Sequence, residues 1–181
     1  MMKESRQTKL LTRALHFYKT DRACLFGASY GVISFLVEHY PKACRKQDKD
    51  GMTPLHLLCD LDDIKPCLIR LISEEEPCAC LTPTNEDGST PLHLAIARKA
   101  PHSAIRALIS ANDTALSTKD GRGRIPLFVA VAVRSPIETF KFLLLKYPAG
   151  RTTRNLLNEL PVTMAARMNL DGDLLDLLQP I

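Results

Sequence analysis

The sequence predicts an all-α solenoid of about five stacked helix-turn-helix repeats with hairpin-like tips. The clearest evidence is a recurring sequence motif: DGMTPLHLLCD begins at Asp50, DGSTPLHLAIA at Asp87, and a weaker version, DGRGRIPLFVAVA, at Asp120. The prolines that mark the repeat, 37, 35 and 35 residues apart, are Pro54, Pro91, Pro126 and Pro161. Self-similarity at a fixed period of this length is typical of repeat architectures, in which each unit buries its apolar face against the next.

A second marker gives the same count of units. The stretches FLVEHYPKAC, LISEEEPCAC, ALISANDTAL and FLLLKYPAGR end 36, 36 and 35 residues apart. In each unit apolar residues fall at relative positions 0, 2, 3 and 4, which predicts a helix with a broad buried face. The three main apolar columns are Ile33, Ile69, Ile105 and Phe140; Phe35, Leu71, Ala107 and Phe142; and Leu36, Ile72, Leu108 and Leu143.

Each unit has a physical interpretation. The DG pair predicts a tight turn, because glycine adopts positive φ without penalty. Thr53 and Thr90 are suited to cap helices whose first residue is proline, where a missing N–H costs nothing. A second helix is expected to start near residues 64–66, 101–103 and 135–137. The whole chain, 1–181, is predicted to be one domain with units at 10–47, 48–84, 85–117, 118–154 and 155–181, of which the first is degenerate and the last partial.

The hairpin DG, the box TPLH and the two helices together resemble the ankyrin repeat. The motif residues are Thr53, Pro54, Leu55 and His56 in one unit and Thr90, Pro91, Leu92 and His93 in the next. The resemblance implies that each box histidine forms hydrogen bonds within and between hairpins. The later boxes depart from the motif, since Ile125 and Phe128 replace Thr and His, and LPVTMAA from Leu160 keeps little more than the proline. Losing a Thr cap costs about 1 kcal/mol, so these units are expected to depend more on packing.

The period is longer than the family's usual one, and the YP pairs at Tyr40 and Tyr147 predict a second helix that runs on into a long outer loop. The N-terminal KLLTRALHFY is interpreted as part of the degenerate first unit. Terminal units of a solenoid are expected to be atypical, because one face meets water.

Charge is strongly segregated along the chain, although the formal net charge is only +4. Residues 1–47 carry +6, residues 48–90 carry −7, residues 91–154 carry +8 and residues 155–181 carry −3. Such blocks predict a striped surface on an elongated molecule. The longest uncharged apolar run, residues 125–133, is far below the roughly 20 residues of a membrane span, and the N-terminus has no secretory pattern. We therefore expect an intracellular chain, cytoplasmic or nuclear.

The cysteines leave three interpretations open. Cys24, Cys59 and Cys67 fall on predicted helices, where small buried apolar residues are expected. Cys78 and Cys80, with Cys44 in the matching column, are either structurally inert, or redox-reactive thiols exposed on a loop, or metal ligands. Zinc sites usually use two pairs of ligands and no second pair is present, which favours the inert interpretation.

Catalytic and nucleic-acid signals are weak. The carboxylate runs at residues 60–63 and 74–76 have no accompanying His or Ser in a setting that would tune a pKa. We therefore expect no enzyme activity, no cofactor and no metal. The DGRGR stretch lacks the Lys and Ser or Thr of a phosphate loop. Its arginines either decorate a hairpin tip or meet a partner's carboxylates or phosphates. Aromatic residues in the +8 segment mostly follow the core pattern, so direct nucleic-acid binding is not expected.

The resemblance implies a protein-interaction module or scaffold that binds on the concave surface of hairpin tips and first helices. The alternative is a targeting or regulatory subunit, or a fragment of a larger enzyme or signalling assembly. Candidate contact residues before the boxes are Lys49, Met52, Glu86, Ser89, Lys119, Arg122 and Arg124. Those after the boxes are Asp60, Leu61, Ala97, Arg98, Val133 and Arg134. One or more proteins of complementary charge are the expected partners of a monomeric array.

Overall fold

The computed structural model describes residues 26–61 and 64–180, and in these ranges it consists of α-helices, 3₁₀ turns and tight hairpin-like connections, with no β-strand. The helices are α1 (Phe26–His39), α2 (Pro54–Cys59), α3 (Pro66–Glu75), α4 (Pro91–Ala97), α5 (His102–Ala111), α6 (Pro126–Ala132), α7 (Ile137–Lys146), α8 (Pro161–Arg167) and α9 (Gly172–Leu178). The predicted all-α fold class is confirmed. The stretch KLLTRALHFY and the N-terminal signal pattern lie outside the described residues.

The helices form two stacked layers. The short first helices α2, α4, α6 and α8 pack on one another in chain order, and the second helices α1, α3 and α5 do the same on the other side. In the second to fifth repeats the first helix also packs against the second. The core therefore runs as a continuous strip between the layers, in which every unit is covered by its neighbours.

The predicted long outer loop is wrong. Helices α1 and α7 end one residue before Tyr40 and Tyr147, and a 3₁₀ turn follows each second helix of the first four units. The cause is the proline after each tyrosine, which disfavours helical backbone in the residue before it. The turns span Pro41–Arg45, Pro77–Leu81, Asp113–Leu116 and Pro148–Thr152 and carry small residues such as Ala43 and Ala79 into the core.

Two of the three apolar columns are buried and one turns partly outward. The columns that contain Ile33 and Leu36 are buried in all four units. Phe35 of the remaining column is 55% exposed, and Leu71 and Phe142 are only partly buried. The residue two positions after a core residue lies about 200° around the helix, so this column reaches only the margin of the buried stripe.

The third box replaces a polar pair with an apolar one. Ile125 and Phe128 stand where earlier boxes have Thr and His, and both side chains are fully buried. Neither α6 nor α8 has a side-chain cap at its N-terminus. These helices rely on core packing for the stability that Thr caps supply to α2 and α4.

Replacing Leu92 with Ala tests the packing between repeats. Leu92 is fully buried in α4, so the truncation should leave a cavity and lower the free energy of unfolding by about 2–5 kcal/mol. Urea denaturation of the whole 181-residue chain measures the change. The matched variant Leu145→Ala removes the same atoms from a side chain that is 76% exposed and should stay within about 0.5 kcal/mol. Equal effects in the two variants would contradict this packing register.

Candidate interaction surface

Three of the four hairpin tips that the structure describes have the same hydrogen-bond pattern, set by one Asp or Asn at the base. The base residues Asp48, Asp120 and Asn155 donate their N–H to the carbonyl four residues on, at 2.9, 2.9 and 3.2 Å. The Oδ1 of each accepts the N–H groups of the residues two and four positions on, at 2.9–3.0 Å. The residue three positions on takes positive φ: Gly51 at 77°, Gly123 at 70° and Asn158 at 60°. We name these the first (residues 48–52), third (120–124) and fourth (155–159) tips.

The second tip (residues 84–89) contains one extra residue. Thr84 donates its N–H to the carbonyl of Ser89, five positions on, and Gly88 is the residue with positive φ. The insertion explains why the first two boxes are 37 residues apart while the later ones are 35 apart. Measured from base to base, the tips are 36, 36 and 35 residues apart, as the helix markers are.

The predicted register of the third tip is wrong. Asp120–Gly121 was matched to Asp50–Gly51, but the glycine with positive φ is Gly123, and Asp120 is the equivalent of Asp48. Gly121 has a different reason to lack a side chain. A Cβ there would lie 2.8 Å from the Asp87 carbonyl oxygen of the neighbouring tip.

Backbone hydrogen bonds join consecutive tips into a row. Asn85 donates its N–H to the carbonyl of Asp50 at 3.2 Å, and Gly121 donates to Asp87 at 2.8 Å. Leu156 of the fourth tip donates to the carbonyl of Arg122 at 3.2 Å. The spacing of the tips is therefore set by the main chain, and the side chains project from a fixed row.

The two box histidines connect each repeat to the next one. His56 Nδ1 accepts hydrogen bonds from the Thr53 N–H (3.1 Å) and hydroxyl (2.9 Å), and its Nε2 donates to the Ser89 carbonyl at 3.0 Å. His93 repeats this arrangement with Thr90, and its Nε2 donates to the Arg124 carbonyl at 2.9 Å. Because one ring nitrogen accepts and the other donates, each imidazole is neutral.

Burial opposes protonation of both rings. It lowers the pKa of His56 to about 4, and the hydrogen bond to the Ser89 carbonyl opposes this shift only in part. Burial likewise lowers the pKa of His93. These histidines are structural, since both nitrogens are used inside the fold and neither faces solvent.

The structure separates the thirteen candidate contact residues by exposure. Seven are exposed: Lys49, Glu86, Ala97, Arg98, Lys119, Arg122 and Arg134. Four are partly buried: Met52, Asp60, Arg124 and Val133. Leu61 and Ser89 are buried, so their side chains are not available on the surface.

Arg124 is tied to its own hairpin. Its Nε and Nη2 lie 2.8 and 2.7 Å from Asp120 Oδ2, and the Asp120 side chain is fully buried. The Arg124 side chain is only 20% exposed. Arg98 is also engaged, in an ion pair with Asp60. Of the two arginines in DGRGR, the exposed one is Arg122.

Arg134 lies far from the tips. It follows the C-terminal end of α6, about 10 Å along the helix from the hairpin, and donates from Nη2 to the Met168 carbonyl at 2.8 Å. Its φ of 53° matches that of Lys99, which shows that Val133 and Arg134 align with Arg98 and Lys99. The third pair of candidates after the boxes is thus one residue out of register.

The fourth tip carries two exposed leucines that the sequence pattern did not predict. Leu156 and Leu157 are 74% and 75% exposed, at positions where other tips carry charged residues, glycine or asparagine. The signal was available, because hairpin tips favour Gly, Asn, Asp and Ser. Aligning the tips themselves, rather than the boxes, would have revealed the apolar pair.

The cysteines divide differently from the expectation. Cys59 is buried as predicted, but Cys67 is exposed on α3, and Cys24 lies outside the described residues. Cys80 and Cys44 are buried, and burial raises the pKa of each thiol to about 12. The loop-thiol interpretation therefore applies to Cys78 alone, which is exposed. Within residues 26–61 and 64–180, no cluster of three or more His, Cys, Asp or Glu could hold a metal ion.

Comparison with known proteins identifies the repeat. A protein-family model described as ankyrin repeats (3 copies) matches residues 21–120, more than half of the chain. The ankyrin repeat domain of Bcl-3, a member of the IkappaB protein family, superposes with a TM-score of 0.74 at 20% identity, over 97% of this chain and 72% of that chain. A chain from the complex of the Bd0816 predatory endopeptidase from Bdellovibrio bacteriovorus with immunity protein Bd3460 superposes with a TM-score of 0.51 at 15% identity. The match covers 97% of this chain and 98% of that chain. No curated protein sequence matches the chain. Among the described helices, none combines the length and the apolar character that crossing a bilayer requires.

The neutral box histidines predict a loss of stability in mild acid. Their folded-state pKa lies below the ordinary value, so the unfolded chain binds the proton first and stability falls as pH drops. For His56 this fall spans the window from about pH 6.5 to about pH 4. The shift at His56 alone corresponds to about 3 kcal/mol across that window. Urea unfolding measured at several pH values gives the slope. His56→Gln should flatten it, whereas His102→Gln, at an exposed histidine, should not. An unchanged slope in His56→Gln would contradict the assignment.

Arg124 and Arg122 should differ in their effect on stability. Arg124→Ala leaves the Asp120 carboxylate buried without its ion-pair partner and should lower the free energy of unfolding by about 1–3 kcal/mol. Arg122→Ala changes an exposed side chain two residues away and should stay within about 0.5 kcal/mol. The midpoints of thermal unfolding provide the comparison. Similar midpoints would mean that Arg124 is not structural.

Proposed function

Because the chain belongs to the ankyrin-repeat family, we propose that it is a non-catalytic interaction module that binds a protein partner on its concave surface. Ankyrin repeats generally mediate protein–protein interaction. The binding surface consists of the row of tips and the adjoining exposed side of the first helices. The observation that carries the proposal is the row itself, in which backbone hydrogen bonds hold exposed and variable side chains at fixed spacing.

The polarity of the row supports recognition by charge. The first and second tips expose Lys49, Asp50 and Glu86, so carboxylates predominate there. The third and fourth tips expose Arg122, with Lys119 and Arg154 just before each hairpin. A partner lying along the row would place cationic groups at the first tips and anionic groups at the last. Such matching mainly accelerates association and excludes wrong partners.

The surroundings of the titratable residues support a non-catalytic role. The two box histidines use both ring nitrogens inside the fold, and burial holds them neutral. Asp120 is enclosed by Arg124, and Asp60 is paired with Arg98. Catalytic acids and bases need access to substrate and a suitably tuned pKa, and these groups lack that access.

Charge reversal on the tip row tests the proposal. Lys119→Glu with Arg122→Glu changes two exposed cations at the third tip, and Lys141→Glu with Lys146→Glu makes the same change of charge on α7, on the outer side of the array. Affinity capture from nuclease-treated lysate, measured by quantitative mass spectrometry, should show proteins retained by the parent and the α7 variant but lost by the tip variant. Circular dichroism must show that all three are folded.

The same experiment can reject the concave surface. Identical captures by the tip variant and the α7 variant would place partner binding elsewhere on the array. Loss of captured proteins in the α7 variant alone would move the interface to the outer helices. Loss of bound nucleic acid from untreated lysate, with no protein lost, would favour nucleic-acid binding instead.

A further inference from the structure

The fourth tip presents an apolar pair where a hairpin ordinarily presents polar residues. Leu156 and Leu157 each expose about three quarters of their surface, at the positions that Lys49 and Asp50 occupy in the first tip. Single exposed leucines are common on protein surfaces, but neighbouring ones surrounded by polar groups often mark interaction sites. Nothing in the local hairpin geometry needs leucine here, since the same bonds form with other residues in the first and third tips.

The backbone of the pair is held in place before any partner arrives. Asn155 Oδ1 accepts the N–H of Leu157 at 2.9 Å and that of Glu159 at 3.0 Å, and the Leu156 N–H bonds to the third tip. The Leu156 side chain lies against Gly123, where an added Cβ would stand 2.8 Å from Leu156 Cγ. A pre-organised apolar contact loses less conformational entropy on binding than a mobile one.

The charges around the pair are unbalanced in one direction. The two acids of these tips, Asp120 and Glu159, are each paired with an arginine, Arg124 and Arg167. In the part of the chain that the structure describes, the exposed cations Lys119, Arg122 and Arg154 have no carboxylate within ion-pair distance. Lys119 Nζ and Arg154 Nη1 donate instead to the carbonyls of Arg154 and Asn158, at 3.0 and 2.6 Å, so both cations are kept beside the fourth tip.

We propose that the third and fourth tips form a docking site for an acidic protein segment that carries a large apolar side chain. The apolar side chain packs on Leu156 and Leu157, and flanking carboxylates meet Arg122, Lys119 and Arg154. This site rests on the proposed interaction function and assigns one end of the partner to one end of the row. It requires both chemistries at once, because charge alone would not select the leucines and apolar contact alone would not select the cations.

Two other classes of partner fit less well. Single-stranded nucleic acid is bound by aromatic stacking beside cations, and leucine provides no stacking face. An anionic membrane would attract the cations, but the same row continues into Asp50, Glu86 and Asp87, whose charge would repel it. A protein segment can bind the basic third and fourth tips and either carry cations that match the acidic first and second tips or not reach them.

A peptide selection on the full chain tests the site. Random peptides displayed on phage are enriched on the parent protein, and affinities of the enriched peptides are measured by fluorescence anisotropy. The enriched peptides should carry net negative charge and at least one large apolar residue. Changing Leu156→Ser together with Leu157→Ser should weaken their binding by about tenfold or more. The matched change Leu145→Ser, on a leucine of similar exposure in α7, should alter it by less than about twofold.

Salt dependence separates the two contributions. Arg122→Glu should weaken binding strongly at low ionic strength and less at high ionic strength, because exposed charges are screened. The double leucine substitution should weaken binding at both. If peptide binding did not depend on ionic strength and Arg122→Glu kept the affinity of the parent protein, the cations would not be part of the site.

Several outcomes would overturn the site. These are failure to enrich any acidic apolar peptide, equal binding by the double leucine variant, and leucine-dependent binding to phosphatidylserine vesicles without peptide binding. Leucine-dependent dimerisation in sedimentation velocity would assign the pair to a second copy of the chain. If captured proteins depend on Lys119 and Arg122 but are retained by the double leucine variant, the interaction function stands and the docking site fails.

Discussion

The structure depends on the hydrogen bond that each box histidine donates to the carbonyl of the following repeat. His56 and His93 reach Ser89 and Arg124 from inside the core, while Thr53 and Thr90 hold the opposite ring nitrogen. A repeat cannot bury its apolar face alone, so its stability comes largely from the interface with its neighbour. At these two interfaces, apolar packing and a buried polar bond act on the same neighbour, and the polar bond requires an uncharged ring.

The next interface is built differently. Phe128 occupies the position of the histidine and has no donor. The fourth and fifth units are joined by packing, by the backbone bond from Leu156 to Arg122, and by bonds from the Arg134 and Arg151 side chains to the carbonyls of Met168 and Leu177. The contacts between successive units therefore differ in chemistry, even though the backbone repeats. A buried histidine bond joins the second unit to the third and the third to the fourth, whereas the Phe128 ring takes its place between the fourth and the fifth.

The sequence predicted the repeat, the all-α class, the caps and the two buried columns, because each follows from short-range patterns that recur along the chain. It did not predict the register of the third tip, since DG occurs there as a coincidence of sequence and the turn glycine is two residues later. Arg124 was grouped with Arg122 because sequence shows charge but not pairing, and the ion pair with Asp120 forms only when the hairpin closes. Exposure of Cys67 and Phe35 depends on where the buried face of a helix ends, which periodicity resolves poorly.

The additional residue in the second tip has a wider meaning. Thr84 and Ser89 close a hairpin one residue longer than its neighbours, yet the helices on either side keep the spacing of the array, and the Asn85 and Gly121 bonds to adjacent tips are intact. Length changes are absorbed at the tip and are not transmitted to the stack. Insertions can thus accumulate on the exposed edge without disturbing the buried layers, so that in this architecture the contact surface can diversify in evolution while the scaffold stays the same.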